Sequence, residues 1–245
     1  NLNLLTGDIG NDTVMTGSGN DTIQIGQDLV NLSSGEGDDT FIVHDGYITI
    51  NESIDGGLGN DTVVLQNGNS ASLGANVDIN VNLDTVQSVE VYTFDSATGP
   101  QGLGPTNIAQ AHTINFQGGN VLTQNTINVD GSIITDALDS LTVTIADSTD
   151  ADFKFVVDGT AGNDLLIKDT AGGNNDIVFN GGAGADTIRI TGAALGSTVT
   201  VDGGAGDDSI EQNGGILIDD SFVSVTSVET LRAAAASTVI TATLG

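Results

Sequence analysis

The sequence predicts an all-β solenoid, in which short parallel strands wind around one elongated core. Three observations predict it: a glycine- and aspartate-rich nonapeptide recurs, a strand-like segment follows each copy, and no segment has a convincing helical period. The full pattern Gly-Gly-x-Gly-x-Asp-x-U-x, where U is apolar, begins at Gly56, Gly181 and Gly203. Near copies begin at Gly7, Thr16, Ser34, Gly159 and Ala171.

Each copy reads as a glycine-rich turn that feeds a strand whose alternate residues point inward. The strands at 22–25, 40–43 and 188–190 are examples. Residues 77–83 alternate Val, Ile or Leu with Asp or Asn, which is typical of a strand buried on one face. The same alternation predicts strands at 113–116, 126–129, 141–145, 153–157 and 199–201. A regular succession of turns and strands indicates solenoid coils.

Three segments are predicted along the chain. Residues 1–105 form a first repeat module with an edge strand, and residues 106–158 continue the solenoid without the repeat signature. Residues 159–245 form a second repeat module with an edge strand. The tripeptide Ser-Val-Glu occurs at 88–90 and again at 227–229, which suggests that a repeat block and its edge strand were duplicated.

Charge and composition narrow the range of partners. The 245 residues carry a formal net charge of −29, with four Lys and Arg residues against 33 Asp and Glu residues. Such a surface repels nucleic acid and anionic membrane. No apolar run is long enough to span a bilayer, and the 38% hydrophobic content argues against an acidic disordered tail. The sequence begins without Met and within a repeat, which suggests a processed product or part of a longer chain.

The aspartate at the sixth position of each repeat is the candidate metal ligand. These residues are Asp12, Asp21, Asp39, Asp61, Asp164, Asp176, Asp186 and Asp208. Asp21, Asp39 and Asp61 are 18 and 22 residues apart, and Asp164, Asp186 and Asp208 are 22 and 22 apart. If one coil takes two strands and two turns, these spacings stack the aspartates along one edge, one per coil.

Such a stack requires a cation. Neighbouring parallel strands lie about 4.8 Å apart, and at an effective dielectric of about 20 the repulsion between neighbouring carboxylates is about 3–4 kcal/mol. The chain has no cysteine to provide disulfides or thiolate ligands, and its two histidines, His44 and His112, are expected at surface or rim positions. Carboxylate and turn carbonyl oxygens favour Ca²⁺ over a transition metal or Mg²⁺.

These repeats resemble the RTX (hemolysin-type) calcium-binding repeat. The resemblance implies a right-handed parallel β-roll or β-helix solenoid with calcium-binding glycine-rich turns, in which stacked sixth-position carboxylates share each Ca²⁺ with turn carbonyls. It implies ions between Asp21 and Asp39, Asp39 and Asp61, Asp164 and Asp186, and Asp186 and Asp208. Two candidates are less regular, because Asp12 would face Val30 and Asp176 lies 12 and 10 residues from its neighbours.

A second resemblance concerns function. The run GGAGDDSI followed by SVETLRAAAAS resembles RTX-bearing bacterial surface-layer proteins. This similarity implies an extracellular, calcium-dependent structural protein that self-assembles through its solenoid edges, with other copies and cell-surface polysaccharide as partners. The alternative is a calcium-stabilised module of a larger secreted adhesin or enzyme.

Catalysis is not expected. The adjacent acids Asp38-Asp39, Asp207-Asp208 and Asp219-Asp220 could suggest the two carboxylates of a glycosidase. Neighbours on one turn rarely face each other across a cleft, and with seven Phe and two Tyr the chain is poor in aromatic residues for a carbohydrate-active β-helix enzyme. The sequence therefore predicts that the protein is not an enzyme.

Overall fold

The computed structural model describes residues 3–5, 12–25, 30–44, 53–66, 78–95, 111–117, 126–146, 154–169, 176–191, 199–214, 216–217, 224–233 and 239–240. Within them the chain forms 23 β-strands and no helix. All their pairings are parallel. This confirms the predicted all-β class and the parallel solenoid, whereas its handedness stays a prediction.

Sheet 1 is the longest sheet and continues through both repeat blocks. Its ten strands are, in spatial order, β1 (Asn3–Leu5), β3 (Thr22–Gln24), β5 (Thr40–His44), β7 (Thr62–Gln66), β10 (Val91–Phe94), β12 (Thr126–Asp130), β14 (Lys154–Asp158), β16 (Asp176–Asn180), β18 (Val199–Asp202) and β21 (Val225–Thr226). Neighbours in this order are successive coils of the chain.

Two shorter sheets supply the second strand of each coil. Sheet 2 contains β2 (Asp12–Ser18), β4 (Val30–Glu36), β6 (Ser53–Asp55) and β9 (Val86–Gln87). Sheet 3 contains β8 (Asp78–Asn82), β11 (Ala111–Gln117), β13 (Ser140–Ile145), β15 (Leu165–Asp169), β17 (Thr187–Thr191), β19 (Ser209–Asn213) and β22 (Thr230–Ala233). A separate pair is formed by β20 (Ile216–Leu217) and β23 (Val239–Ile240).

The chain changes partner sheets at one coil. Before it, strands alternate between sheets 2 and 1, and after it they alternate between sheets 1 and 3. The coil made by β8, β9 and β10 contributes one strand to each of the three sheets. Sheet 1 continues through this coil without a break and marks no boundary between segments. The division of the chain into the three segments 1–105, 106–158 and 159–245 therefore stays a prediction.

Alternation along the strands builds the core between the sheets. Ile79 and Val81 of β8 and the adjacent Leu83 are buried, as the predicted strand at 77–83 requires. Aromatic side chains fill the middle of the core, where the rings of Tyr92 and Phe116 meet edge to face with centroids 5.1 Å apart. Each fully buried apolar side chain contributes about 1.5–3 kcal/mol to folding.

Three polar side chains occupy inward positions of sheet 3: His112, Lys168 and Gln212. The expectation that His112 lies at the surface is wrong, because strand alternation places it inward, in register with the buried Leu141. Burial lowers the pKa of His112 to about 4, so the imidazole is neutral at pH 7. Burial also lowers the pKa of Lys168, against an opposing effect of Asp176.

No helix of membrane-spanning length and hydrophobicity occurs in the part of the chain that the structure describes.

Candidate metal centre

Five turns share one backbone conformation. In each of them the glycines at the second and fourth positions have positive φ, a region that costs glycine little and other residues more. These pairs are Gly17 and Gly19, Gly35 and Gly37, Gly57 and Gly59, Gly182 and Gly184, and Gly204 and Gly206. The turns therefore have a local reason for the repeated Gly-x-Gly spacing, and we call them the regular turns.

The first three regular turns stack into a first ladder of Asp21, Asp39 and Asp61, where sheet 2 passes into sheet 1. The amide of Asp21 donates a hydrogen bond to Oδ1 of Asp39 at 2.8 Å, and the amide of Asp39 donates to Oδ1 of Asp61 at 2.8 Å. The predicted spacing of 18 and 22 residues thus corresponds to one coil per step.

Asp164, Asp186 and Asp208 form the second ladder, which lies at a different edge, where sheet 1 passes into sheet 3. Here the amide of Asp164 donates to Oδ1 of Asp186, and the amide of Asp186 donates to Oδ1 of Asp208, both at 2.8 Å. The structure therefore brings six of the eight predicted aspartates into two ladders of the same design.

The second carboxylate oxygen is different. Oδ2 is buried and has no hydrogen-bond partner in Asp39, Asp61, Asp186 and Asp208. In Asp61, Asp186 and Asp208 it lies against the first-position glycine of the same turn: a Cβ built on Gly56 or Gly203 would be 2.6 Å from Oδ2 of Asp61 or Asp208. At these three turns only glycine leaves this space, whereas the turn of Asp39 begins with Ser34. A buried carboxylate oxygen without a donor is costly, so these four positions call for a positively charged ligand.

Burial dominates the electrostatics of the ladders. Desolvation raises the pKa of Asp61 to about 7, opposed by the hydrogen bond from the Asp39 amide, and the nearby Glu90 carboxylate raises it further. Desolvation also raises the pKa of Asp186 to about 7, with Asp164 and Asp208 adding to the effect. The ladders thus hold negative charge that the surrounding protein does not neutralise.

The turn that opens the second ladder departs from the regular pattern. Thr160 takes the second position, and its amide donates to Oδ2 of Asp164 at 2.6 Å while its hydroxyl donates to Oδ1 at 2.9 Å. The amide of Leu141 also donates to Oδ1, at 2.6 Å. Protein donors therefore satisfy both oxygens of Asp164, although burial still raises its pKa to about 6.

Each ladder ends at a Ser-Val-Glu turn. The amide of Asp61 donates to Oε2 of Glu90 at 2.8 Å, and the amide of Asp208 donates to Oε2 of Glu229 at 2.8 Å. Ser88 and Ser227 are the only residues other than glycine with positive φ in the part of the chain described. The repeated tripeptide was the sequence signal for these turns. It predicted a duplication, but it did not predict that the two glutamates accept these hydrogen bonds.

Asp12 and Asp176 lie outside both ladders. Asp12 begins β2, and its register partner is Val30, as the spacing predicted. Asp176 is exposed at the start of β16, in register with Lys154. Among the described residues, neither has a stacked aspartate in the neighbouring coil.

The adjacent acids of the turns point in different directions. Asp38 is exposed whereas Asp39 is buried, and Asp207 is exposed whereas Asp208 is buried. Asp38 belongs instead to an outer row, in which the amide of Asn60 donates to its Oδ1 at 2.9 Å. The third pair, Asp219-Asp220, and the side chain of His44 lie outside the described residues.

The donor set fits calcium. In the described ranges no three Asp, Glu or His side chains converge on one point, so a cation would have to take most of its oxygens from the backbone. Hard carboxylate and carbonyl oxygens in a flexible arrangement are what Ca²⁺ accepts, with six to eight ligands, and the chain has no thiolate for a softer metal.

Comparison with known families agrees with this chemistry. The family model of the RTX calcium-binding nonapeptide repeat matches the chain in four copies, at residues 3–24, 51–70 and 199–215. These segments contain Asp21, Asp61 and Asp208. No curated protein and no solved structure matches the chain significantly. The chain therefore carries RTX calcium-binding nonapeptide repeats, and these indicate a calcium-binding structural module.

Proposed function

We propose that the protein is a calcium-dependent structural building block of a bacterial surface layer or extracellular filament, and that it has no catalytic activity. The observation that carries the proposal is that Oδ2 is buried without a hydrogen-bond partner in four of the six ladder aspartates, Asp39, Asp61, Asp186 and Asp208. The six ladder aspartates would hold the ions together with carbonyl oxygens of the regular turns. Asp12 and Asp176 contribute at most separate sites.

Calcium would supply the positive charge that lets the coils close. Without it, neighbouring buried carboxylates repel each other and remain desolvated, which opposes folding. An ion that binds only the folded chain stabilises it by mass action, by about 3 kcal/mol at a hundredfold excess over its dissociation constant. Folding and calcium binding are therefore expected to be one coupled process.

This coupling suits a protein that works outside the cell. Proteins with RTX repeats are typically secreted. The chain has no cysteine, so calcium would take the stabilising role that disulfides often have in extracellular proteins. We infer that the ladders become ordered outside the cell, where calcium is plentiful.

Self-assembly is supported by two strand edges inside the chain that no other described strand pairs with. At the coil where the partner sheet changes, β9 is paired only with β6 and β8 only with β11 among the strands described. An edge strand presents free N–H and C=O groups to another chain. Another copy of the protein is the partner we propose for these edges, and cell-surface polysaccharide stays a predicted anchor.

Calcium removal tests the proposal. The protein is treated with EGTA and then returned to millimolar Ca²⁺ or, as a control, Mg²⁺, and is followed by circular dichroism and negative-stain electron microscopy. We expect a partial loss of β signal and the loss of assemblies in EGTA, with recovery in Ca²⁺ alone. Unchanged spectra and intact monomers in EGTA would refute a structural calcium polymer. Calcium-dependent folding without any assembly would instead favour a module of a larger secreted adhesin or enzyme.

A further inference from the structure

We propose that Glu90 and Glu229 each complete a further calcium site at the end of a ladder, Glu90 together with Asp61 and Glu229 together with Asp208. This inference rests on the proposed calcium binding by the ladders. It adds one ion per ladder to those expected between successive aspartates, and it assigns a binding role to the repeated Ser-Val-Glu tripeptide.

The hydrogen bond at the end of each ladder is the same as the hydrogen bonds inside it. At each step inside the ladders, the amide of one aspartate donates to a carboxylate oxygen of the next coil at 2.8 Å. The amides of Asp61 and Asp208 make the same contact at the same distance, but the acceptor is Oε2 of Glu90 or Glu229. A glutamate carboxylate therefore occupies the place where the ladder would have its next aspartate.

Strand register explains why the residue is glutamate. Asp55 pairs with Gln87 and Thr62 pairs with Val91, so the six residues 56–61 are matched by only three, 88–90. The second ladder repeats this relation, because 203–208 is matched by 227–229 between registered strands. The shortened turn thus carries glutamate, whose side chain is one methylene longer than that of aspartate, and its carboxylate reaches the amide of the last aspartate.

Backbone oxygen is also present at the shortened turns. A Cβ built on Gly56 would overlap the carbonyl oxygen of Ser88, and one built on Gly203 would overlap that of Ser227. Inside the second ladder, Gly181 packs in the same way against the carbonyl of Gly203. The Ser-Val-Glu turn therefore retains the first-position carbonyl of a regular turn together with a carboxylate.

An independent observation points to a ligand at these ends. Asp61 and Asp208 are 0% exposed, and each has an Oδ2 without a hydrogen-bond partner. They are the last aspartates of their ladders. Among the described residues, the carboxylate of the adjoining coil that their amides contact is that of Glu90 or Glu229. A cation held jointly would neutralise both groups.

The terminal sites are expected to bind more weakly than the inner ones. The short turn has three residues fewer than a regular turn, so it offers fewer carbonyl oxygens. In addition, Glu229 is exposed to solvent. Water would complete the coordination of Ca²⁺, which tolerates variable ligands. We therefore expect these two ions to bind last in a titration.

Calcium counting tests the inference. The Glu90→Gln/Glu229→Gln variant keeps an oxygen acceptor for the aspartate amides but removes both charges, and binding is measured by equilibrium dialysis and isothermal titration. We expect two ions fewer per chain than in the parent, one from each ladder, with the tighter ions retained. The control is Glu211→Gln, which removes a carboxylate that pairs with Arg189 at 2.9 Å outside the ladders and should leave the count unchanged.

A second pair of substitutions covers the case in which the glutamine variant folds poorly. Glu90→Asp/Glu229→Asp keeps the charge and withdraws each carboxylate by one methylene, and the same two ions should be lost. An unchanged count in either folded variant would overturn this inference while leaving calcium binding by the aspartates intact. A parent protein that binds no calcium would overturn the proposed function and this inference together.

Discussion

The amide of Asp186 donates to Oδ1 of Asp208 at 2.8 Å, across 22 residues of sequence, while Oδ2 of Asp208 has no hydrogen-bond partner. One oxygen of each such carboxylate therefore joins two coils through the backbone, and the other remains for a cation. This division of roles links the calcium response of the protein to the stacking of its coils.

The first prediction concerns the charge of a single ladder position. Asp186→Asn should stabilise the calcium-free protein by about 1–3 kcal/mol, because a buried charge without a partner is removed while the amide oxygen can still accept the hydrogen bond from Asp164. The same change should weaken the stabilisation by calcium. Urea unfolding with EGTA and with Ca²⁺ measures both effects.

Asp202→Asn is the matched control, because Asp202 is exposed at the end of β18, immediately before the next glycine-rich turn. Its effect should stay within about 0.5 kcal/mol in both conditions. Equal responses of the two variants to calcium would contradict a special role for the ladder.

A pH dependence follows from the raised pKa values. Folding raises the pKa of Asp61 and Asp186 from 3.8 to about 7 and that of Asp164 to about 6, so the calcium-free folded state binds protons that the unfolded state has released. This proton binding adds to the free energy of unfolding. The contribution is fully present below about pH 4 and is lost as the pH rises through 6–7. The calcium-free protein should therefore be less stable at pH 8 than at pH 5, by an amount on the order of a few kcal/mol.

Calcium should reverse this trend, because protons and Ca²⁺ compete for the same carboxylates. Urea midpoints measured across this range, in calcium-depleted and in calcium-saturated buffer, give both curves. Parallel curves in the two buffers would contradict the competition.

The close approach of the first-position glycines gives a third prediction. A Cβ on Gly181 would overlap both Oδ2 of Asp186 and the carbonyl oxygen of Gly203, so Gly181→Ala should destabilise the calcium-bound protein by about 1–3 kcal/mol or more. Gly17→Ala separates this effect from backbone strain, since Gly17 has a φ of 110° but no atom within 4 Å of its Cβ position. Thermal unfolding in saturating calcium should show the larger loss for Gly181→Ala.

The ladders could be predicted from sequence because their period is regular. Spacings of 18 and 22 residues predicted the stacking of Asp21, Asp39 and Asp61, and the strand register reproduces them. Strand alternation also predicted which residues of a strand face the core and which face outward. Such features depend on local turn and strand chemistry, which the nonapeptide pattern records.

Other features depend on register between distant segments and could not be predicted. The two ladders lie at different edges because the β8–β10 coil changes the partner sheet, and the sequence of that coil contains no nonapeptide repeat. Glu90 was overlooked because only the pairings of Asp55 and Thr62 reveal that a three-residue turn replaces a six-residue one. His112 was expected at a surface or rim position, although strand alternation places it inward.

The final prediction concerns Thr160, which satisfies Asp164 without a metal. Thr160→Val removes the hydroxyl that donates to Oδ1 of Asp164 at 2.9 Å and that accepts the amide of Gly162 at 3.0 Å. The loss should destabilise the protein by about 1–3 kcal/mol, since a buried amide loses its acceptor and a buried carboxylate loses a donor. Because protein donors already satisfy both oxygens of Asp164, the loss should be nearly the same in EGTA and in Ca²⁺. Urea unfolding in both conditions measures it, and a loss that calcium restores would show that Asp164 depends on the ion as the regular turns do.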